Sequence, residues 1–173
     1  MIKILHLADV HLDAPHTALY AEKKGSVRRR ETLSSLQNAI AYCTSQNIDI
    51  ALISGDLFDA DNISPSTWRK VIDCFISAKN TRFFISAGNH DPKTPQSFYS
   101  LMPIPDNVTT FGSKMSKIEI PKLNTCVYGA GFESIYQDEP LLDGFEVEDK
   151  SKINLIVIHG DIVSNKSSSR YNP

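Results

Sequence analysis

The chain has 173 residues, 41% of them apolar and 22% charged, which suits one globular domain with room for a sizeable core. Its 18 basic and 20 acidic residues nearly cancel, so composition offers no basic field for nucleic acid, although bound cations could supply positive charge locally. Cys43, Cys74 and Cys126 are too scattered for a disulfide framework or a C-x-x-C site, and no apolar run reaches the roughly eighteen residues of a membrane span; a reducing cytoplasm is the expected location.

In chain order, Ile2 to Ala8 reads as a buried strand, its apolar stretch too short for a signal peptide. Leu33, Leu36, Ile40 and Cys43 recur at steps of three and four, predicting an amphipathic helix from about Val27 to Ser45. Asp49 to Ser54 is a second buried strand. Ser64-Pro65 is a helix start, Ser as the cap and Pro at the first position, for a helix burying Trp68, Val71, Ile72, Phe75 and Ile76. Arg82 to Ala87 is a third strand. Pro92, Pro95, Pro103 and Pro105 then break the chain into loops with at most one short helix. Lys117 to Ile120 and Thr125 to Tyr128 read as strands joined by a turn at Pro121 to Asn124. Asp138 to Lys150 is acidic and expected to be exposed, Ile153 to Ile158 is a last apolar strand, and the tail from Ser164 to Pro173 is polar without periodicity. Alternating strands and helices predict a parallel sheet, and the later strands a second sheet packed on it. The fold class is a layered α/β sandwich, two mixed sheets flanked by helices.

Four of these strands run directly into acid, amide or imidazole side chains. The first leads to Asp9-Val10-His11, the second to Gly55-Asp56-Leu57-Phe58-Asp59, the third to Gly88-Asn89-His90-Asp91 and the last to His159-Gly160-Asp161. Ligands of open α/β sheets bind at the carboxyl ends of the strands, so groups scattered in sequence are expected to converge. Carboxylate, imidazole and amide oxygen together suit manganese, iron or zinc better than an all-oxygen site. A carboxylate such as Asp56 can serve two cations, and such a pair binds a phosphate ester and activates water.

These elements, in this order on strand ends, resemble the calcineurin-like metallophosphoesterase family over nearly the whole chain. The resemblance implies that Asp9 and His11 bind a first metal, that Asp56 bridges, and that Asn89 and His159 bind a second. It further implies that His90 contacts the phosphate and protonates the leaving oxygen, with Asp91 holding its imidazole in the right tautomer. Within the family, Gly55-Asp56-Leu57-Phe58-Asp59 and Gly88-Asn89-His90-Asp91 resemble the SbcD-type DNA repair nucleases, and His6 to Asp13 is similar to the YhaO branch. Protein phosphatases carry Gly-Asp-x-Val-Asp-Arg-Gly and Gly-Asn-His-Glu instead. The resemblance implies two divalent metal ions, manganese first with iron or zinc as alternatives, a DNA substrate, an SMC-type ATPase partner and homodimers, with no membrane. The family's closing Gly-His-x-His element is absent from this sequence. The expectation is a nuclease core over 1–173, C-terminally incomplete and lacking capping and partner-binding segments, with impaired metal affinity and activity.

Plainer readings stand beside these. Asp9, His11, Asp56 and Asn89 could be caps and turn formers after strands. Asp59 and Asp161 read equally as exposed turn residues or as hydrogen-bond partners of a ligand. His16 reads as part of a surface loop that could alternatively reach substrate, and His6 as a strand residue that packs or bonds internally. Arg28, Arg29 and Arg30 read as a solvated helix face, with contact to DNA phosphates as the alternative. A phosphatase of small phosphoesters with the same metal site, or a non-catalytic docking or dimerisation module, would carry much of the same pattern.

Overall fold

A computed structural model describes residues 1–16, 22–59, 62–137 and 140–160; Asp161 and the polar tail lie outside the described residues. Strands β1 (Ile4–Leu7), β2 (Ile50–Ser54), β3 (Arg82–Ser86) and β4 (Val108–Thr110) form one sheet in that order, each pair parallel. Every crossover therefore steps in the same direction. Because such crossovers are right-handed, their helices all fall on one face. Helices α1 (Glu22–Gln46) and α2 (Pro65–Ser77) accordingly pack side by side, and Leu36, Ile40, Cys43, Val71 and Phe75 bury against Ala51, Ile53, Phe83 and Ile85.

The face left free of helices must be covered by something else. A second sheet covers it, ordered β5 (Ser116–Ile120), β6 (Thr125–Gly129), β7 (Ile153–Val157), with β5 antiparallel and β7 parallel to β6. Leu52 and Phe84 from the first sheet meet Ile120, Val127 and Val157 from the second. Ile50 to Ile53 of β2 and Phe83 to Ile85 of β3 are continuously apolar because both faces are buried, each large side chain contributing roughly 1.5–3 kcal/mol. The layered α/β sandwich expected from the sequence is thus formed, as helices, a parallel sheet and a mixed sheet.

Several details differ from expectation. Helix α1 starts at Glu22, a turn earlier than predicted, with Gly25 inside it. Ile76 is 56% exposed rather than buried. At about 100° per residue, Trp68, Val71 and Phe75 share one arc of α2 while Ile76 falls at its edge. The Ser64 side chain caps α2 by accepting the Thr67 N–H at 3.1 Å, as predicted. The proline-rich segment holds the short helix α3 (Phe98–Leu101), and the three-residue β4 follows unannounced by any apolar run. The three cysteines are free, and among the described residues no helix is long and apolar enough to cross a membrane.

Candidate metal centre

Parallel pairing puts the carboxyl ends of β1, β2 and β3 at one end of the sheet. The segments beyond them stay paired. The His11 N–H donates to Asp56 O at 2.8 Å, Leu12 N–H to Leu57 O at 3.0 Å, and Asp59 N–H to Leu12 O at 2.9 Å. The second sheet delivers His159 to the same end, where its Nδ1 lies 3.1 Å from the Ser54 carbonyl oxygen. That carbonyl can only accept, so Nδ1 carries the ring proton and Nε2 presents its lone pair to the site.

Asp56 sits at the middle. It is 3% exposed, and its Oδ2 lies 3.6 Å from both His11 Nε2 and His159 Nε2. Its other oxygen accepts the His90 backbone N–H at 2.9 Å. Two clusters share it: His11, Asp56 and His90 on one side, Asp9, Asp56 and His159 on the other, with ligand atoms in each within 4.8 Å of one another. Asn89 joins the second, its Oδ1 3.1 Å from His159 Nε2. With the proton on Nδ1, that nitrogen and that oxygen meet lone pair to lone pair, an arrangement a cation relieves. The donor set of carboxylates, imidazoles and an amide oxygen fits divalent manganese, iron or zinc. Asp9, His11, Asp56, Asn89 and His159 are therefore brought together. Asp9 groups with Asp56 and His159.

The backbone is bent to do this. Asp9, His11 and Asp56 all adopt left-handed conformations, at φ 53°, 50° and 50°, which non-glycine residues adopt at a cost of order 1 kcal/mol each and which cluster at functional sites. Two glycines make the room. A Cβ at Gly88 would stand 2.1 Å from Asp56 Oδ1, and one at Gly55, itself at φ +78°, 2.2 Å from His159 Nδ1.

Asp91 does something other than expected. Its carboxylate accepts the N–H groups of Asp56 (3.1 Å) and Gly88 (2.7 Å) on Oδ1, those of Leu57 (2.9 Å) and Phe58 (3.2 Å) on Oδ2, and the Tyr99 hydroxyl at 2.7 Å. Two oxygens have about four lone-pair sites, so these five donors use the carboxylate up. Asp91 is thus a clamp tying the β2 loop to the β3 loop, not the partner of the His90 imidazole. Burial pushes its pKa up to about 6, the donors from Gly88, Tyr99 and Phe58 lowering it and the Asp56 charge raising it. Tyr99, pushed up by the same burial and by Asp91, carried no signal in the sequence. The exposed His90 packs edge-on to the His11 ring, centroids 4.8 Å apart.

The remaining candidates resolve more simply. Asp59 is a turn residue, its Oδ1 accepting the Asn62 Nδ2–H at 2.9 Å. His6 Nε2 bonds Ser54 Oγ at 2.9 Å. Arg28 pairs with Glu31 at 3.1 Å along α1, Arg30 is exposed, and Arg29 reaches the Pro15 carbonyl at 3.5 Å. His16 is half-buried in the loop after β1. Asp13, not singled out by the sequence reading, accepts the Ser64 N–H at 2.9 Å and so ties this loop to the start of α2.

A profile of the calcineurin-like phosphoesterase family matches residues 2–141, most of the chain and three of its four motif-bearing strand ends. The chain belongs to the calcineurin-like phosphoesterase family. It is similar to the metallophosphoesterase YhaO of Bacillus subtilis (strain 168), at 22% identity over 185 residues, covering 99% of this chain and 44% of that protein. Among solved structures it resembles a dimetal phosphatase from Danio rerio, with a TM-score of 0.52 and 16% identity over 86% of this chain and 48% of that one. The likeness to the latter is one of fold, and the chain spans less than half the length of either relative. The clusters around Asp56 are where the donor set of this family member could hold metal ions.

Proposed function

We propose that this chain hydrolyses DNA phosphodiester bonds at a centre of two divalent cations, manganese first among them. The observation that carries this reading is the buried Asp56 carboxylate shared by two ligand clusters on an open rim, where Asp9 and His90 are exposed as a polymeric substrate requires. The sequence Gly55 to Asp59 adds support, because Phe58, which distinguishes it from phosphatase-like stretches, lines a cavity beside His90.

Asp9, His11, Asp56, Asn89 and His159 would hold the cations, which supply charge to neutralise phosphate oxygens and acidity to activate water. The protein's own part is positioning. Asp91 fixes the two loops that carry Asp56 and His90, and Ser54 O holds the His159 tautomer. We assign His90 the proton for the departing ester oxygen; its exposure and its edge contact with His11 support this. The ATPase partner and homodimer implied by the resemblance, and the cytoplasmic location expected from the scattered cysteines, belong to the same proposal.

A second reading is hydrolysis of small phosphoesters, favoured by the size of the cavity beside His90, about 700 Å³, which suits a small molecule. Linear DNA, bis(p-nitrophenyl) phosphate and p-nitrophenyl phosphate assayed side by side with manganese separate the two. Cleavage of DNA and the diester is expected; cleavage of the monoester alone would overturn the nuclease reading. A purified chain that binds no manganese and cleaves none of the three would point to a docking module.

A further inference from the structure

We propose that the cavity beside His90 receives a nucleobase of the substrate, so that the enzyme engages an unstacked nucleotide rather than only a duplex backbone. This rests on the phosphoesterase reading of the adjoining centre and deepens it.

The cavity, about 700 Å³, opens next to the metal centre and shares Asn89 and His90 with it. That volume lies within the range of small-ligand pockets. Three aromatic side chains line it: Phe58 and Tyr99, 3% and 6% exposed, and Phe98. Ile63 and Ile135 add aliphatic surface, Ile135 being 54% exposed.

Charge decides which part of a phosphoester goes there. Asp59 and Asp91 line the cavity, and among its described lining residues there is no Lys or Arg. A phosphate would be repelled, so with the phosphate at the metals the occupant is the neutral moiety attached to it. An alkyl group would fill the volume but would offer no hydrogen bond to the second Asp59 oxygen, the first being held by Asn62, or to the Gln96 amide. A nucleobase offers a π-face to the aromatic rings and ring-edge donors and acceptors to Asp59 and Gln96. Stacking of this kind tolerates any base.

The protein carries its own reporter. Trp68 is the one tryptophan in the sequence, and its ring lies 5.5 Å from Phe58, 5.4 Å from Phe98 and 5.9 Å from Tyr99, centroid to centroid. Intrinsic fluorescence, excited at the red edge of the indole band, should follow titration with thymidine 5′-monophosphate in excess EDTA, with deoxyribose 5-phosphate and inorganic phosphate as baseless controls. A saturable change with the nucleotide and none with the controls at the same concentrations is expected. Phe98→Ala should weaken binding roughly 5- to 100-fold, and Ile135→Ala, at an exposed position that leaves folding intact, about 2- to 5-fold. Equal responses to nucleotide and sugar phosphate, no response to the nucleotide, or wild-type affinity in both variants would each overturn the assignment. Manganese-dependent hydrolysis of bis(p-nitrophenyl) phosphate, measured on the same preparation, keeps the two readings apart. Hydrolysis without nucleotide binding rejects the base site alone; nucleotide binding without hydrolysis rejects the phosphoesterase reading alone.

Discussion

Replacing Asp91 by alanine removes the acceptor for four buried backbone N–H groups and the Tyr99 hydroxyl at once. At roughly 1 kcal/mol for each stranded donor, the low end for a buried group, the loss is about 5 kcal/mol. That is a large share of the stability of a single domain and corresponds to a fall in Tm of roughly 10–20 °C for a chain of this size. Asp91→Asn keeps one acceptor oxygen and turns an amide NH₂ towards the other donors, so about half the loss is expected. Circular-dichroism melts in EDTA measure both, and keeping metal out of the solution separates the clamp from the cation site. Should Asp91→Ala melt within about 3 °C of the parent protein while hydrolysis is abolished, the clamp would be wrong. The carboxylate would then act on the His90 imidazole, as the resemblance implies.

Other outcomes follow from the same geometry. Because the folded-state pKa of Asp91 is raised, from 3.8 to about 6, the proton-linked part of its contribution in the metal-free protein is fully present below about pH 3.8 and is lost as pH rises through about 6, leaving the hydrogen bonds of the ionised clamp. The stability advantage over Asp91→Asn should therefore shrink by about 3 kcal/mol between pH 4 and pH 7, as read from denaturant titrations; an advantage that grows with pH would mean the five donors outweigh burial. Gly88→Ala sets a methyl group 2.1 Å from Asp56 Oδ1 and 2.7 Å from the Asp56 nitrogen, so the carboxylate must turn aside. Calorimetric titration should show manganese affinity down at least ~10-fold with about 1–3 kcal/mol of stability lost, and unchanged affinity would count against Asp56 as a ligand. Asp56→Asn should abolish metal binding yet leave the metal-free fold near its original Tm, because it removes a charge that disfavours ionised Asp91; a fall of more than about 10 °C in EDTA would make Asp56 a structural residue.

What the sequence announced and what it hid divide along physical lines. Strand ends carrying Asp56, Asn89 and His90 were readable because apolar runs mark buried parallel strands and polar ligands follow at their carboxyl ends. Strands β1 and β7, which lead to Asp9, His11 and His159, are instead half-exposed edge strands, and β1 is not the buried strand expected at Ile2 to Ala8. The same logic put the helices outside and a second sheet beneath. Strand β4 escaped because Val108, Thr109 and Thr110 are too short a run, next to Pro103 and Pro105, to show any period. The role of Asp91 escaped because four of its five donors are backbone N–H groups, which leave no trace in side-chain pattern, and Tyr99 escaped because the partner of its hydroxyl is that same buried carboxylate. His90 and Asp91 are neighbours in sequence, yet their side chains diverge, one onto the exposed rim and the other into the interior. Nor could the left-handed turns at His11 and Asp56 be read, since only glycine signals such a conformation by its identity.

The proposed metal centre turns on one carboxylate, Asp56, serving two cations. Anomalous diffraction from crystals soaked in manganese tests it most directly. Two peaks are expected on either side of Asp56, one reached by His11 and the other by His159 and Asn89. A single peak, or density lying away from the Asp56 carboxylate, would contradict it.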